Sequence, residues 1–457
     1  MKTYIAIVLA LLVNTLAHSE PKTAEAIKAE EIKHMAYQAY VFATPIHEFH
    51  RAISAIDMAL GKKLRPLNRM VHSPIMTPAG GKKGLCCPSQ DTIYSVAQLD
   101  LRAEPIIMSI PRINDRYYSL QFSNSFTINM AQVGIRQIGE GDQDIVMVGP
   151  EWDQPTPEGM QVIRYDTNDG LVGLRLLLKN QQDYPALRNI QKQVTLTPLS
   201  RYLDPSLKVQ ETRHMRMAQY WQDDHLETLR WLNHYLAHNP MPAHDAGMRG
   251  MFEALGITGD PDFDPKKLPK QIQEGLSEGR ILAEKMIVLR NKHRLDSTSK
   301  SAWRRSQDGK DQRYDNLLRA SIARYALLPS DKEEAIYFAS KVDSRQSPLN
   351  GASSYTLHFD KAPPVDGFWS LTAYSAPDSR LIKNAYNKYV IRDRDPSLKF
   401  NDDGSLDLLM SSEKPTSGIG NWLPIPKGDF VVAIRTYLPR QPIVDGNYEF
   451  PAILRSQ

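Results

Sequence analysis

The stretch Phe368-Trp369-Ser370-Leu371-Thr372-Ala373-Tyr374 constrains the fold most, because both of its faces make a demand. In a period-2 strand Phe368, Ser370, Thr372 and Tyr374 fall on one side and Trp369, Leu371 and Ala373 on the other. The second side requires a core. The first presents hydroxyls and aromatic rings, as the wall of a pocket would. Downstream, Asn421-Trp422-Leu423-Pro424-Ile425-Pro426 carries two prolines that a central strand excludes, so a rigid loop lying over the sheet is expected.

The same alternation recurs on both sides of a long interruption. Toward the C-terminus it marks Tyr355–Phe359, Tyr389–Arg392, Ser405–Leu408 and Phe430–Arg435, with Asp403-Gly404 as a turn signal. Toward the N-terminus it marks Arg116–Phe122, with Tyr118, Leu120 and Phe122 inward and Tyr117, Ser119 and Gln121 outward. The runs 105–111 and 144–150 are apolar and bounded by breakers, as strands buried on both faces are. Between these regions, about Thr195 to Asp343, the period is helical. Met217, Tyr220 and Trp221, then Leu229, Leu232 and Leu236, and then Ile272, Leu276, Leu282 and Met286 form stripes, and Ser330 with Glu333 reads as a capping box before Ala335-Ile336-Tyr337. An amphipathic helix from Lys22 to about Leu60, disturbed at Pro45, precedes everything. The expected class is α+β, mainly β: a β-sandwich, a helical middle domain and a C-terminal jelly-roll β-sandwich.

Lys2, the apolar run from Tyr4 to Val13 and Ala17-His18-Ser19 read as a signal peptide cleaved after Ser19, and so as a periplasmic or secreted protein. Its loss removes one lysine and no acid, taking a formal charge of +4 to +3. Such near-neutrality, with no basic stripe, argues against nucleic acid as a partner, and no later run suggests a transmembrane span. The expected partners are a small-molecule ligand and further copies of the chain. Adjacent Cys86-Cys87 is too close for ordinary disulfide geometry and reads as two buried free thiols.

Several motifs fail on their context. His47 and His50 are three apart, not the four of a His-Glu-x-x-His zinc helix, so no metal is assigned. Gly275-Leu276-Ser277-Glu278-Gly279 has the letters of a nucleophile elbow but follows a helical pattern instead of a strand. Asp260-Pro261-Asp262-Phe263-Asp264 is followed by Pro265 where a calcium loop needs glycine, with Gln271 where it needs glutamate, and reads as a helix-entry turn. No glycine-rich phosphate loop is present, so no organic cofactor is expected.

Cys87-Pro88-Ser89-Gln90-Asp91-Thr92-Ile93-Tyr94, Leu99-Asp100-Leu101-Arg102 and Arg116-Tyr117-Tyr118 together resemble the family of domain of unknown function 1254. Phe368–Thr372 and Asn421–Pro424 resemble its usual C-terminal partner, domain of unknown function 1214. The resemblance implies a bacterial, often exported protein whose first sandwich is immunoglobulin-like. It brings no reaction. The chain departs from the pattern at Ser89-Gln90 and at His47 and His50. The expected division is a leader over 1–19, a helix over 20–60 packing on the helical domain, the immunoglobulin-like sandwich over 61–200, the helical domain over 201–345 and the jelly roll over 346–457.

Asp91, Tyr94, His358 and Tyr374 are the candidate catalytic residues, since Asp with Tyr or His can exchange protons. Arg102, Arg116, Ser370, Arg392, Asn421 and Trp422 are the candidate substrate-binding residues, the arginines as carboxylate clamps and the Asn421-Trp422 pair as a preorganised contact. The two functional readings are a cofactor-independent hydrolase or lyase on a small organic or carbohydrate-like substrate, and a non-catalytic ligand-binding or interaction protein. An ionisable pair within a concave pocket would separate them.

Overall fold

The computed structural model describes residues 24–59, 66–80, 87–208, 226–296, 302–306, 308–310, 312, 314–376, 378–417 and 419–456. The expected leader, Cys86, Met217, Tyr220 and Trp221 lie outside these residues. The architecture is mixed α+β, with two β-sheet regions flanking a helical middle. Among the described residues no helix is long and apolar enough to cross a membrane.

The principal helices are α1 (Ala24–Ala59), α2 (Tyr184–Gln193), α3 (Glu227–His238), α4 (Met248–Ala254), α5 (Lys270–Asp296) and α6 (Asn316–Tyr325). The first region contains β1 (Val71–His72), β2 (Thr92–Asp100), β3 (Ile106–Arg112), β4 (Tyr118–Asn124), β5 (Asn129–Gly134), β6 (Gly141–Val148), β7 (Gln161–Arg164), β8 (Asp169–Leu177) and β9 (Thr195–Pro198). The second contains β10 (Arg304–Arg305), β11 (Ala335–Ser340), β12 (Tyr355–Phe359), β13 (Val365–Ser375), β14 (Val390–Arg392), β15 (Leu406–Ser411), β16 (Trp422–Pro424), β17 (Phe430–Pro439) and β18 (Leu454–Arg455).

In the first region one sheet has the order β1-β2-β8-β4-β5 and the other β7-β6-β3-β9. Their facing sides share one core, in which Leu120, Phe122, Val172 and Leu174 meet Ile106, Met108, Ile145 and Met147. The residues on the opposite faces, Ile107, Val146 and Val148, pack outward under Leu199, which is why runs 105–111 and 144–150 are apolar on both faces. The second region repeats the plan with β10-β11-β17-β13-β14 and β16-β15-β12-β18. Trp369, Leu371 and Ile434 from its first sheet pack on Tyr355, Leu357, Leu408 and Met410 from its second.

Helix α1 runs unbroken through Pro45 and packs with α3, α5 and α6 around Ala36, Phe42, Leu232, Tyr235 and Leu276. Phe126 and Ile128, from the β4–β5 connection, enter this helical core. Arg319 of α6 is wholly buried there, paired with Asp245 at 3.2 Å and stacked over the Phe126 ring at 4.3 Å.

Four local expectations are corrected. Ala335-Ile336-Tyr337 is strand β11, not helix, because pairing with β17 over six residues outweighs the cap-like Ser330 and Glu333. Thr195–Pro198 is an edge strand on β3, so the helical period starts later than expected. Trp422–Pro424 is an edge strand parallel to β15 and not a loop over the sheet; at an edge a proline forfeits no ladder bond. The turn at Asp260–Asp264 does enter a helical turn, with the Asp264 carboxylate accepting from the Lys266 N–H. Cys87 is exposed, not buried.

Candidate functional site

The two sheet regions dock through the faces that the alternation left polar. Tyr117, just before β4, and Ser119 and Gln121 on it point away from the first core; on β13, Phe368, Ser370, Thr372 and Tyr374 point away from the second. All seven are buried, and the two sets meet where the Tyr117 ring packs on Phe368 and Tyr437. The hydroxyl-bearing face of β13 is therefore a seam between regions.

One margin of this seam is a latch around Asp91, which is fully buried just before β2. The Ser370 hydroxyl donates to its carboxylate at 2.6 Å and Arg394 Nη2 at 2.9 Å, while Arg392 Nε lies 3.3 Å away. Arg392 also donates to the Gln90 carbonyl at 2.7 Å, and the Tyr374 hydroxyl to the Pro88 carbonyl at 2.9 Å. Every one of these bonds crosses between the regions.

Beside the latch lie two arginines of a different kind. Arg175 projects from the central strand β8 and donates to Gln121 Oε1 at 2.6 Å, and it lies 5.7 Å from the Tyr94 ring across the strand pair. Arg435 projects from β17, donates to the Cys87 carbonyl at 2.8 Å and to Thr372 Oγ1 at 3.4 Å, and stands over the Tyr337 and Tyr374 rings at 5.4 and 5.5 Å. Burial opposes both charges, but a guanidinium is basic enough to stay cationic there, and ionisation of the surrounding tyrosines would hold both above their ordinary value. Burial raises the Tyr337, Tyr374 and Tyr437 phenols, which are neutral at physiological pH. Tyr337 is within electrostatic reach of both arginines. Among the described residues no carboxylate lies within ion-pair distance of Arg175 or Arg435, and Arg175 Nε is buried without a hydrogen-bond partner.

The seam thus brings together Asp91, Tyr94, Ser370, Tyr374 and Arg392. The other five candidates stand elsewhere. His358 is half exposed on β12, paired with Asp407 at 2.7 Å and Asp360 at 3.3 Å; the Asp407 hydrogen bond is the main reason its imidazole lies above the ordinary value. Arg102 grips Asp100 through two hydrogen bonds of 2.8 and 2.6 Å at the far end of β2. Burial would raise the Asp100 carboxyl, but Arg102 outweighs it and holds the group below its usual range. Arg116 is buried between Asp115 and Asp183. Asn421 is spent on Lys399 and the Asp407 carbonyl, and the indole N–H of Trp422, 1% exposed, donates to Ser411. Trp422 offers no free face to a ligand, because an indole that closes the end of a sheet is covered on both sides.

Arg175, Arg435, Tyr337, Tyr437 and Arg394 are what the residue patterns missed. The signal was a single charge inside an apolar strand, as in Leu174-Arg175-Leu176 and Ile434-Arg435-Thr436. His47 and His50 also part company: His47 Nε2 lies 3.7 Å from Glu227, while His50 stacks on Trp231 at 3.9 Å. Among the described residues no group of three His, Cys, Asp or Glu is placed to hold a metal ion.

The latch has a titratable member. Asp393 accepts from the Trp369 N–H at 3.0 Å, and its other oxygen is buried without a hydrogen bond. Burial, which outweighs Arg394 nearby, pushes its carboxyl up to about 6. The folded chain therefore holds this proton more tightly than the unfolded one, whose value is about 3.9. That contribution is complete below about pH 4, declines as pH rises to about 6, and is flat above it. Asp393→Asn is expected to be more stable than the parent at pH 7 by about 2 kcal/mol, after allowance for partial exposure, and to lose that decline. Guanidinium unfolding at several pH values from 4 to 7 checks it; an unchanged slope would assign the pH dependence to another group.

Residues 67–198 match the family described as "Protein of unknown function (DUF1254)" and residues 334–441 the family described as "Protein of unknown function (DUF1214)". Among solved structures, a protein from Vibrio parahaemolyticus superposes with a TM-score of 0.71 at 22% identity, covering 93% of this chain and 100% of that one. An uncharacterised protein from Burkholderia cenocepacia gives a TM-score of 0.45 at 14% identity, with 97% and 92% covered. No curated protein matches. The first likeness supports the fold over nearly the whole chain. The chain thus carries one segment similar to each of the two families, residues 67–198 to DUF1254 and residues 334–441 to DUF1214.

Proposed function

We propose that the chain is an exported ligand-binding protein whose ligand is a small organic anion, held at the seam by Arg175 and Arg435. The observation that carries this reading is the contrast among the arginines drawn into the fold, of which Arg175 is partly buried and Arg435, Arg116 and Arg319 are buried. Arg116 faces two aspartates and Arg319 faces Asp245, as the cost of burying a charge requires. Arg175 and Arg435 hydrogen-bond only to neutral oxygens and stand beside aromatic rings, with the Glu334 carboxylate within electrostatic reach of Arg175 but not ion-paired to it. A planar guanidinium fork without a carboxylate, flanked by tyrosines, is suited to receive one from outside.

The finer architecture belongs to the same reading. Each pair of sheets is taken as a β-sandwich, the first immunoglobulin-like and the second a jelly roll, with divisions near 60, 200 and 345. A core drawn from both sheets of each pair supports it. The strands β10 and β11 would join the last unit. The Lys2–Ser19 pattern supports export.

The test is calorimetric titration of the mature protein with a panel of small carboxylates, repeated on Arg175→Gln. A charge-assisted hydrogen bond is worth about 1.5–3 kcal/mol, so binding is expected to weaken about ten- to a hundredfold. Absence of binding by the parent, or undiminished binding by the variant, would overturn the proposal. A hydrolase or lyase reading draws support from one feature, the Tyr117 hydroxyl donating to Glu334 at 2.6 Å within the seam, with both groups raised by burial. Turnover of any carboxylate that binds, abolished in Glu334→Gln, would favour it.

A further inference from the structure

We infer that the ligand is a monocarboxylate with a linear apolar tail, and that Gly173 is the floor of the groove that takes the tail. This rests on the anion reading above. Gly173 lies two residues before Arg175 on the same face of β8, about 7 Å along the strand. It is paired with Val96 on one side and Gln121 on the other. Central strands of a covered sheet are normally sealed, yet Tyr94, Val96, Gly173 and Arg175 are each only partly buried. That leaves open volume above them.

The glycine itself makes the point. A β-carbon on Gly170 would strike the Tyr165 ring at 2.6 Å, so that glycine serves packing. A β-carbon on Gly173 would meet, among the described residues, only Leu171 Cδ2, at an ordinary 3.8 Å. Nothing in its own packing requires a residue without a side chain, and its φ is not in the left-handed region. Close approach of a ligand to the backbone does.

Beyond Gly173 the face turns apolar. Leu171 packs with Phe49 and Ile53 of α1, and Val96 and Leu328 pack partly buried against them. Cation, bare backbone and apolar wall follow one another along about 13 Å of β8. A carboxylate placed on Arg175 would lay its chain over Gly173 toward Leu171.

The experiment is calorimetry of the mature protein with acetate, butyrate, hexanoate and octanoate, on the parent, Gly173→Val, Gly173→Ala and Arg175→Gln. In the parent, affinity is expected to rise about fourfold per added methylene until the groove is filled. Gly173→Val should flatten the series without weakening acetate, Gly173→Ala should do so in part, and Arg175→Gln should weaken every member. Far-UV circular dichroism identifies any variant that does not fold, and the alanine variant then carries the test. Affinity independent of tail length, or a Gly173→Ala series as steep as the parent's, overturns the inference and leaves the anion site standing. No binding of any member by the parent overturns both.

Discussion

Asp91→Ala is expected to lower the unfolding free energy by about 3 kcal/mol, with the guanidinium midpoint falling accordingly. The carboxylate is wholly buried and is the shared acceptor for Ser370 and Arg394, with Arg392 alongside. Its removal strands two guanidiniums between the sheet regions. Both are partly exposed, and Arg392 retains Asp395 at 3.4 Å, so the effect belongs at the lower end of the range for a broken buried pair. Ser370→Ala removes only a neutral donor and should cost about 1 kcal/mol. If Asp91→Ala costs no more than Ser370→Ala, Asp91 is not what joins the regions.

Gly279→Val is expected to cost about 3 kcal/mol, whereas Ser277→Ala two residues away should change stability by less than about 0.5 kcal/mol. A β-carbon on Gly279 would lie 2.5 Å from the Ala36 Cβ, 2.6 Å from the Tyr37 nitrogen and 2.8 Å from the Lys33 carbonyl of α1. None of these atoms can move by changing a rotamer. Gly275, one turn earlier, sits against Ile32 in the same way. The two glycines are the seat on which α1 crosses α5, and Ser277 is exposed between them. In an isolated helix, replacing glycine would stabilise by a few tenths of a kcal/mol, so the sign of the measured change separates packing from propensity. Thermal unfolding of both variants decides it; a neutral Gly279→Val would deny the close crossing.

What the residue patterns conveyed depended on how local the cause was. The period-2 runs at 116–122 and 368–374 placed their core-facing residues correctly, because a strand has only two faces and one must be apolar. The elbow-like motif was dismissed on its helical context, and α5 runs through it. Ala335–Tyr337 misled because its pairing partner lies about a hundred residues away in β17, and a six-residue ladder decides against a local cap. Asn421 and Trp422 misled for a related reason: a proline-spaced aromatic reads alike whether it faces a ligand or closes a sheet edge.

The candidate site divides along the same line. Asp91, Tyr94, Ser370, Tyr374 and Arg392 were visible as polar residues on regular strands, and the fold brings them to one seam. Arg175 and Arg435 were not, since one arginine in an apolar strand looks like a solvated edge until both faces are known to be covered. The sequence by itself determined the order of β, α and β regions and the inward faces of β4 and β13, because periodicity and breakers act over a few residues. Only the tertiary structure decided that the outward faces of β4, β8, β13 and β17 meet, since which surfaces cover one another depends on contacts hundreds of residues apart. That meeting encloses Arg435 and partly encloses Arg175, neither of which is ion-paired to a carboxylate among the described residues.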